Sequence, residues 1–142
     1  MLQAARILKE DGVCEPVLLG KKDVIERAIV EHKLEDELGG VSIVDPATSP
    51  LVERYTDAYW KLRQRRGVTH ELAATRMRFR GYFGAMLVRE GAVDGLVTGL
   101  TQTYPEAVRP PLEVIGTHQG RRAGGVYLVV QRNDYKFFAD CT

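Results

Sequence analysis

The feature that most narrows the folds open to this chain is an alternation near its start. Ala4, Ala5, Ile7 and Leu8 recur at helical spacing over residues 2–10, and Gly12 stops the pattern. A short apolar run, Pro16-Val17-Leu18-Leu19-Gly20, follows between breakers, as a buried strand requires. Helical spacing returns over residues 21–32 with Val24, Ile25, Ala28 and Ile29 on one face. A second apolar run, Val41-Ser42-Ile43-Val44, then ends at Asp45-Pro46. Helix, strand, helix, strand with short joins predicts a parallel α/β arrangement with helices covering the sheet.

Further on, Ser49 and Pro50 form a capping residue and first-turn proline for a helix whose stripe is Leu51, Val52, Tyr55, Ala58, Tyr59 and Leu62, ended by Gly67. Thr69 caps a helix through Arg76. Residues 81–90 make another, in which Gly81 and Gly84 permit close approach. Residues 93–99 read as a buried strand followed by a turn. Residues 105–115 suit a helix that Pro110 and Pro111 keep short or kinked. Residues 126–131 and 135–139 alternate around Arg132-Asn133-Asp134, a hairpin pattern. The expected organisation is one α/β lobe over residues 1–124, with a hairpin over 125–142 starting a second.

A chain of 142 residues is long enough to bury roughly 68–70% of its unfolded surface, so no staple is needed. Twenty basic against nineteen acidic residues argue against coating nucleic acid or an anionic membrane. Cys14 and Cys141 stand far apart, and His32, His70 and His118 are scattered, so a metal site is not expected. There is no charged-then-apolar leader and no apolar run near the ~20 residues of a membrane span. A cytoplasmic location is therefore expected. No Gly-x-Gly-x-x-Gly, Walker lysine or Gly-x-Ser-x-Gly motif occurs.

Chemistry concentrates between Asp94 and Arg109. A strand there would deliver Thr98 and Gly99 to the carboxyl edge of a parallel sheet, where open α/β folds bind ligands. Gly99 lets backbone approach a bound group, and Thr98, Thr101 and Thr103 offer hydroxyls. The helix near Pro105 would aim free N–H groups at an anion, and Arg109, about one turn in, adds a forked donor. The alternative is a polar loop with solvated threonines. Arg63 and Arg66 share a helix flank, either as an anion-binding pair or simply as cations complementing the helix dipole. Arg76 and Arg80 share a face if helix continues between them. Cys141 borders a cleft if its strand ends there, although inert buried cysteines are commoner than reactive ones. Asp45 and Asp94 read as turn residues, and Tyr59-Trp60 as core.

Several of these segments, taken in order, resemble the phosphate acetyl/butyryltransferase family: Pro16–Gly20, residues 59–67 (Tyr59 to Gly67), residues 82–88, residues 91–99, Val108-Arg109-Pro110 and residues 138–141. The resemblance covers the whole chain but about the N-terminal half of the family domain. Within it, Tyr82-Phe83-Gly84-Ala85-Met86, residues 99–105 and Leu112-Glu113-Val114-Ile115-Gly116 are similar to the phosphotransacetylase-like region at the C-terminal end of NADP-dependent malic enzymes. Stand-alone acetyltransferases usually carry Ser-Gly-Ala where this chain has Thr98-Gly99-Leu100.

The narrower resemblance implies an acetyl-CoA-sensing, oligomer-forming regulatory segment. Its parent would decarboxylate malate oxidatively to pyruvate in an upstream domain using NADP and a divalent metal, and the segment alone would be inactive. The broader one implies a phosphate acetyltransferase acting between acetyl phosphate and coenzyme A. A dimerisation module without ligand is the third reading. The resemblance also implies a two-lobed fold like that of isocitrate and isopropylmalate dehydrogenases. It implies, too, that Arg63, Arg109 and Cys141 match positions handling coenzyme A or acetyl phosphate.

Overall fold

The computed structural model describes residues 1–132 and 134–139. Helix α1 (Leu2–Glu10) leads to β1 (Val17–Leu19), α2 (Lys22–Glu31), a single turn α3 (Glu35–Leu38) and β2 (Ser42–Val44). Strands β1 and β2 pair in parallel, Val17 with Ser42, Leu18 with Ile43 and Leu19 with Val44. Parallel neighbours need a crossover, and α2 and α3 supply it. The one-turn α3 was not expected from spacing; Leu38 within it is nevertheless buried.

Helix α4 (Val52–Arg63) runs into a 3-10 turn at Gln64–Arg66, and Gly67 ends it at φ +82°, a left-handed position that glycine adopts without cost. The helix starts later than its sequence suggests. Ser49 and Pro50 belong to the preceding turn, where Ser49 Oγ accepts from the Leu51 N–H at 3.3 Å. Helix α5 (His70–Met77) is capped by Thr69, whose hydroxyl accepts from the Leu72 N–H at 3.1 Å. Helix α6 (Arg80–Arg89) follows after a break at Arg78-Phe79, so Arg76 and Arg80 do not share a helix face.

Residues 93–99 form no strand. Leu96 packs on the core, but Val97 is 78% exposed, and no described residue pairs with this segment. A strand exists only through its ladder partner, which apolar content alone does not supply. Helix α7 (Tyr104–Val114) is a full eleven residues despite Pro110 and Pro111. Burial of Pro110 and Val114 against the other helices offsets the two missing N–H donors. The chain ends its described part with β3 (Val126–Gln131) and β4 (Asp134–Ala139), an antiparallel hairpin in which Gln131 opposes Asp134. Every described residue of both strands is exposed. The fold is thus mixed α/β, with a small parallel sheet, helices and a C-terminal hairpin. No described helix is long and apolar enough to cross a membrane.

Two apolar clusters organise the rest. Tyr55, Tyr59, Met77, Phe83, Met86 and Val114 belong to the larger, built by α4 to α7. Ala5, Ile29, Leu34 and Leu38 form the smaller. Where α6 meets α7, a Cβ on Gly81 would lie 3.1 Å from the Pro110 ring, so only glycine allows this spacing without movement.

Candidate functional site

Helix α7 lies across the end of α4, and the seam between them opens as a groove of about 390 Å³. Pro105, Val108, Arg109 and Leu112 recur at helical spacing and give the α7 wall. Arg63, in the last turn of α4, and Arg66, in the following turn, give the other. Arg63 and Arg109 therefore converge on one groove from two helices, although they lie far apart in sequence. A second groove of about 440 Å³ adjoins it, sharing Arg63, Arg66, Leu112 and Glu113 and adding Arg89. Arg89 donates to the Val114 carbonyl at 2.7 Å and so ties α6 to the end of α7.

Lining both grooves, Glu113 is the acceptor for three helices. Its Oε2 takes hydrogen bonds from the Tyr59 hydroxyl at 2.7 Å, Arg76 at 2.9 Å and the Tyr82 hydroxyl at 3.0 Å. Arg76 also donates to the Tyr59 hydroxyl at 2.5 Å, and its guanidinium stands 5.2 Å from the Tyr82 ring centre. Burial works to raise the Glu113 carboxyl, but these hydrogen bonds and the nearby guanidinium charges outweigh it and hold the group below its ordinary value. Burial, then the hydrogen bond to Glu113, pushes the Tyr59 phenol well above its ordinary value. Tyr59 is thus core, as expected, and also a donor in this cluster.

The other expected site residues lie elsewhere. Thr98, Gly99, Thr101 and Thr103 precede α7 and line neither groove. The Thr98 hydroxyl donates to Gln102 at 3.2 Å, and Gly99 takes φ +107°, where a Cβ would stand 3.4 Å from that of Ala107. The Thr103 N–H and hydroxyl both donate to Glu106 Oε2 at 2.9 Å. A carboxylate from within the chain thus already occupies the start of α7, and Pro105 has no N–H to offer. The Thr103 donors at that helix end are thus engaged by Glu106. Cys141 lies outside the described residues. Asp45 is a turn residue, accepting from the Ala47 N–H at 2.9 Å.

Glu113, Arg76, Tyr59 and Tyr82 were not singled out as a site by sequence reading. Their hydrogen bonds join residues 17 to 54 positions apart, which no local spacing reveals. The available signal was weak: Arg109 and Glu113 are four apart and share a helix face.

Comparisons with known proteins fit this architecture. A phosphate acetyltransferase from Synechocystis is 33% identical over 99% of this chain and 20% of its own length. One from Bacillus subtilis is 34% identical over 99% of this chain and 43% of its own. A phosphotransacetylase structure from Streptococcus pyogenes superposes with a TM-score of 0.85 at 28% identity, covering 99% of this chain and 43% of that one. The corresponding values for a phosphotransacetylase from Staphylococcus aureus are 0.79, 29%, 99% and 42%. The chain thus spans less than half the length of these relatives.

These names overturn the malic enzyme reading. With it go the regulatory segment and the oxidoreductase chemistry. Residues 98–105, on which much of that reading leaned, form an exposed loop and helix start where sequence varies at little cost, Leu100 being 74% exposed. A family model described as phosphate acetyl/butaryl transferase matches residues 1–142, and the chain belongs to that family.

Proposed function

We propose that this chain supplies the coenzyme A-binding part of a phosphate acetyltransferase, with Arg63 and Arg109 holding the anionic phosphates of the ligand. One observation carries the reading: guanidinium groups from α4 and α7 face a single groove. Coenzyme A carries a pyrophosphate and a 3′-phosphate. A charge-assisted hydrogen bond to such a group contributes about 1.5–3 kcal/mol, more than an exposed ion pair. Tyr104, Val108 and Leu112 add an apolar wall for the uncharged part of the ligand.

In the reaction, the coenzyme A thiolate attacks the acetyl carbon of acetyl phosphate. A carbon–sulfur bond forms, the carbon–oxygen bond to phosphate breaks, and inorganic phosphate leaves. The task assigned to this chain is positioning, which converts an encounter between two polyanions into a held geometry. Thermal unfolding with coenzyme A tests it. A ligand present at 100 times its Kd stabilises the folded chain by about 2.7 kcal/mol and raises Tm by several degrees. Arg63→Ala and Arg109→Ala should each shrink that rise. An unchanged Tm at millimolar coenzyme A overturns the reading.

A further inference from the structure

Arg63 is the most enclosed of the three arginines lining the first groove, its side chain 18% exposed, and its acidic neighbour among the described residues is Glu113. Glu113 Oε1 stands 4.0 Å from its terminal nitrogen, too far for a direct hydrogen bond. The Arg63 Nε is buried and has no hydrogen-bond partner among the described residues. A carboxylate so close to a guanidinium ordinarily closes onto it as a forked pair. Here it is held back, because all three donors to its other oxygen come from Tyr59, Arg76 and Tyr82. Only Arg76 among these carries a charge. Arg76 lines neither groove.

We propose that Arg76 is a positioning residue for the groove: by engaging the Glu113 carboxylate, it leaves the donors of Arg63 to an entering anion. The inference rests on the groove's being an anion site. Arg76 and Glu113 together sum to no net charge, so Arg63 faces a carboxylate already neutralised. Without Arg76, the guanidinium that remains within 4.0 Å of Glu113 among the described residues is that of Arg63. The carboxylate then competes with the ligand for the same donors.

Calorimetric titration of the chain with coenzyme A and, separately, with inorganic pyrophosphate tests this. Arg76→Gln should weaken binding by about tenfold, the scale expected when a unit charge near contact loses its counter-charge. Arg76→Lys, which restores the charge, should stay within about threefold of the unaltered chain. The decisive variant is Arg76→Gln with Glu113→Gln. Removing the competing carboxylate should recover the lost affinity, although the cluster is then more damaged. A double variant that binds no better than Arg76→Gln overturns the proposal, as does binding that merely follows Tm. Should Arg76→Gln fail to fold, Glu113→Gln alone decides: binding as tight as in the unaltered chain, or tighter, supports the proposal and weaker binding overturns it. Pyrophosphate binding without coenzyme A binding refutes the proposed function, while the variants still judge the positioning role. Binding of neither overturns both.

Discussion

The two apolar clusters spend their charged residues differently. Around the larger one, charged and hydroxyl groups reach between helices: Glu113 of α7 takes donors from α4, α5 and α6, and Arg89 of α6 bonds to the end of α7. Around the smaller one, ion pairs stay within a helix, Arg6 with Glu10, Lys22 with Glu26 and Asp23 with Arg27, each four residues apart. Pairs of the second kind add a few tenths of a kcal/mol to their own helix and fix nothing beyond it. Pairs of the first kind set one helix against another. The groove lies at the cross-linked cluster, which is where a site made from two helices can keep its geometry.

Removing the centre of each cluster gives the largest contrast. Phe83 is fully buried and in ring contact with Tyr55, 5.3 Å between centroids. Phe83→Ala should cost about 3–5 kcal/mol in urea unfolding. Leu38 is equally buried, but in a four-residue helix beside a small cluster that can close over the gap. Leu38→Ala should cost about 2–3 kcal/mol, the low end for such truncations. Hydrogen exchange should open amides of α1 to α3 before those of α4 to α6. A Leu38→Ala loss matching that of Phe83→Ala would remove the distinction.

Acid and base sharpen the same contrast. Glu113 is held below its ordinary 4.5, so it favours the folded state above that pH, and the contribution is lost as pH falls through the lower folded value. Tyr59 moves the other way. Its raised phenol favours folding fully below its ordinary 10.0, and that contribution declines as pH rises beyond it. Melting curves should therefore fall off below about pH 4.5 and above pH 10. Glu113→Gln should flatten the acid side at a cost near neutrality of about 1–2 kcal/mol. Tyr59→Phe should flatten the alkaline side. Unaltered limbs in both variants would show that the cluster contributes no pH dependence.

The N-terminal region was the more legible of the two in sequence. Unlike the one-turn α3, helices α1 and α2 and the parallel strand pair follow from apolar spacing and breakers. The hairpin around residues 132–134 was legible for the same reason. Reading failed where structure depends on a distant partner. Residues 93–99 have a strand's composition and no strand beside them. Arg63 and Arg109 were each identifiable as cations on helices, but their meeting depends on how α4 and α7 cross. Glu113 has only a weak local mark, its spacing from Arg109, and the joint role of Glu113 and Arg76 arises only when four helices assemble.

The smallest effects test where the two regions touch. A Cβ on Gly84 would meet Leu96 at 2.8 Å and Leu19, from β1, at 3.0 Å. Both neighbours are the free ends of partly buried leucines, which can turn aside. A Cβ on Gly81 would meet the Pro110 ring instead, and a ring closed on the backbone moves only with α7. Both glycines sit inside α6, where alanine gains about 1 kcal/mol of helix propensity. Crowding of a packed core costs about 1–3 kcal/mol when nothing can yield. Gly81→Ala should therefore lower stability by about 1 kcal/mol and also weaken coenzyme A binding, because α7 carries Arg109 one residue before Pro110. Gly84→Ala should stay within about 0.5 kcal/mol of the unaltered chain and leave binding as it was. The reverse order in calorimetric unfolding would mean that β1 is set against α6 as firmly as α7 is, and that the cross-linked cluster is no more rigid than its boundary with the N-terminal sheet.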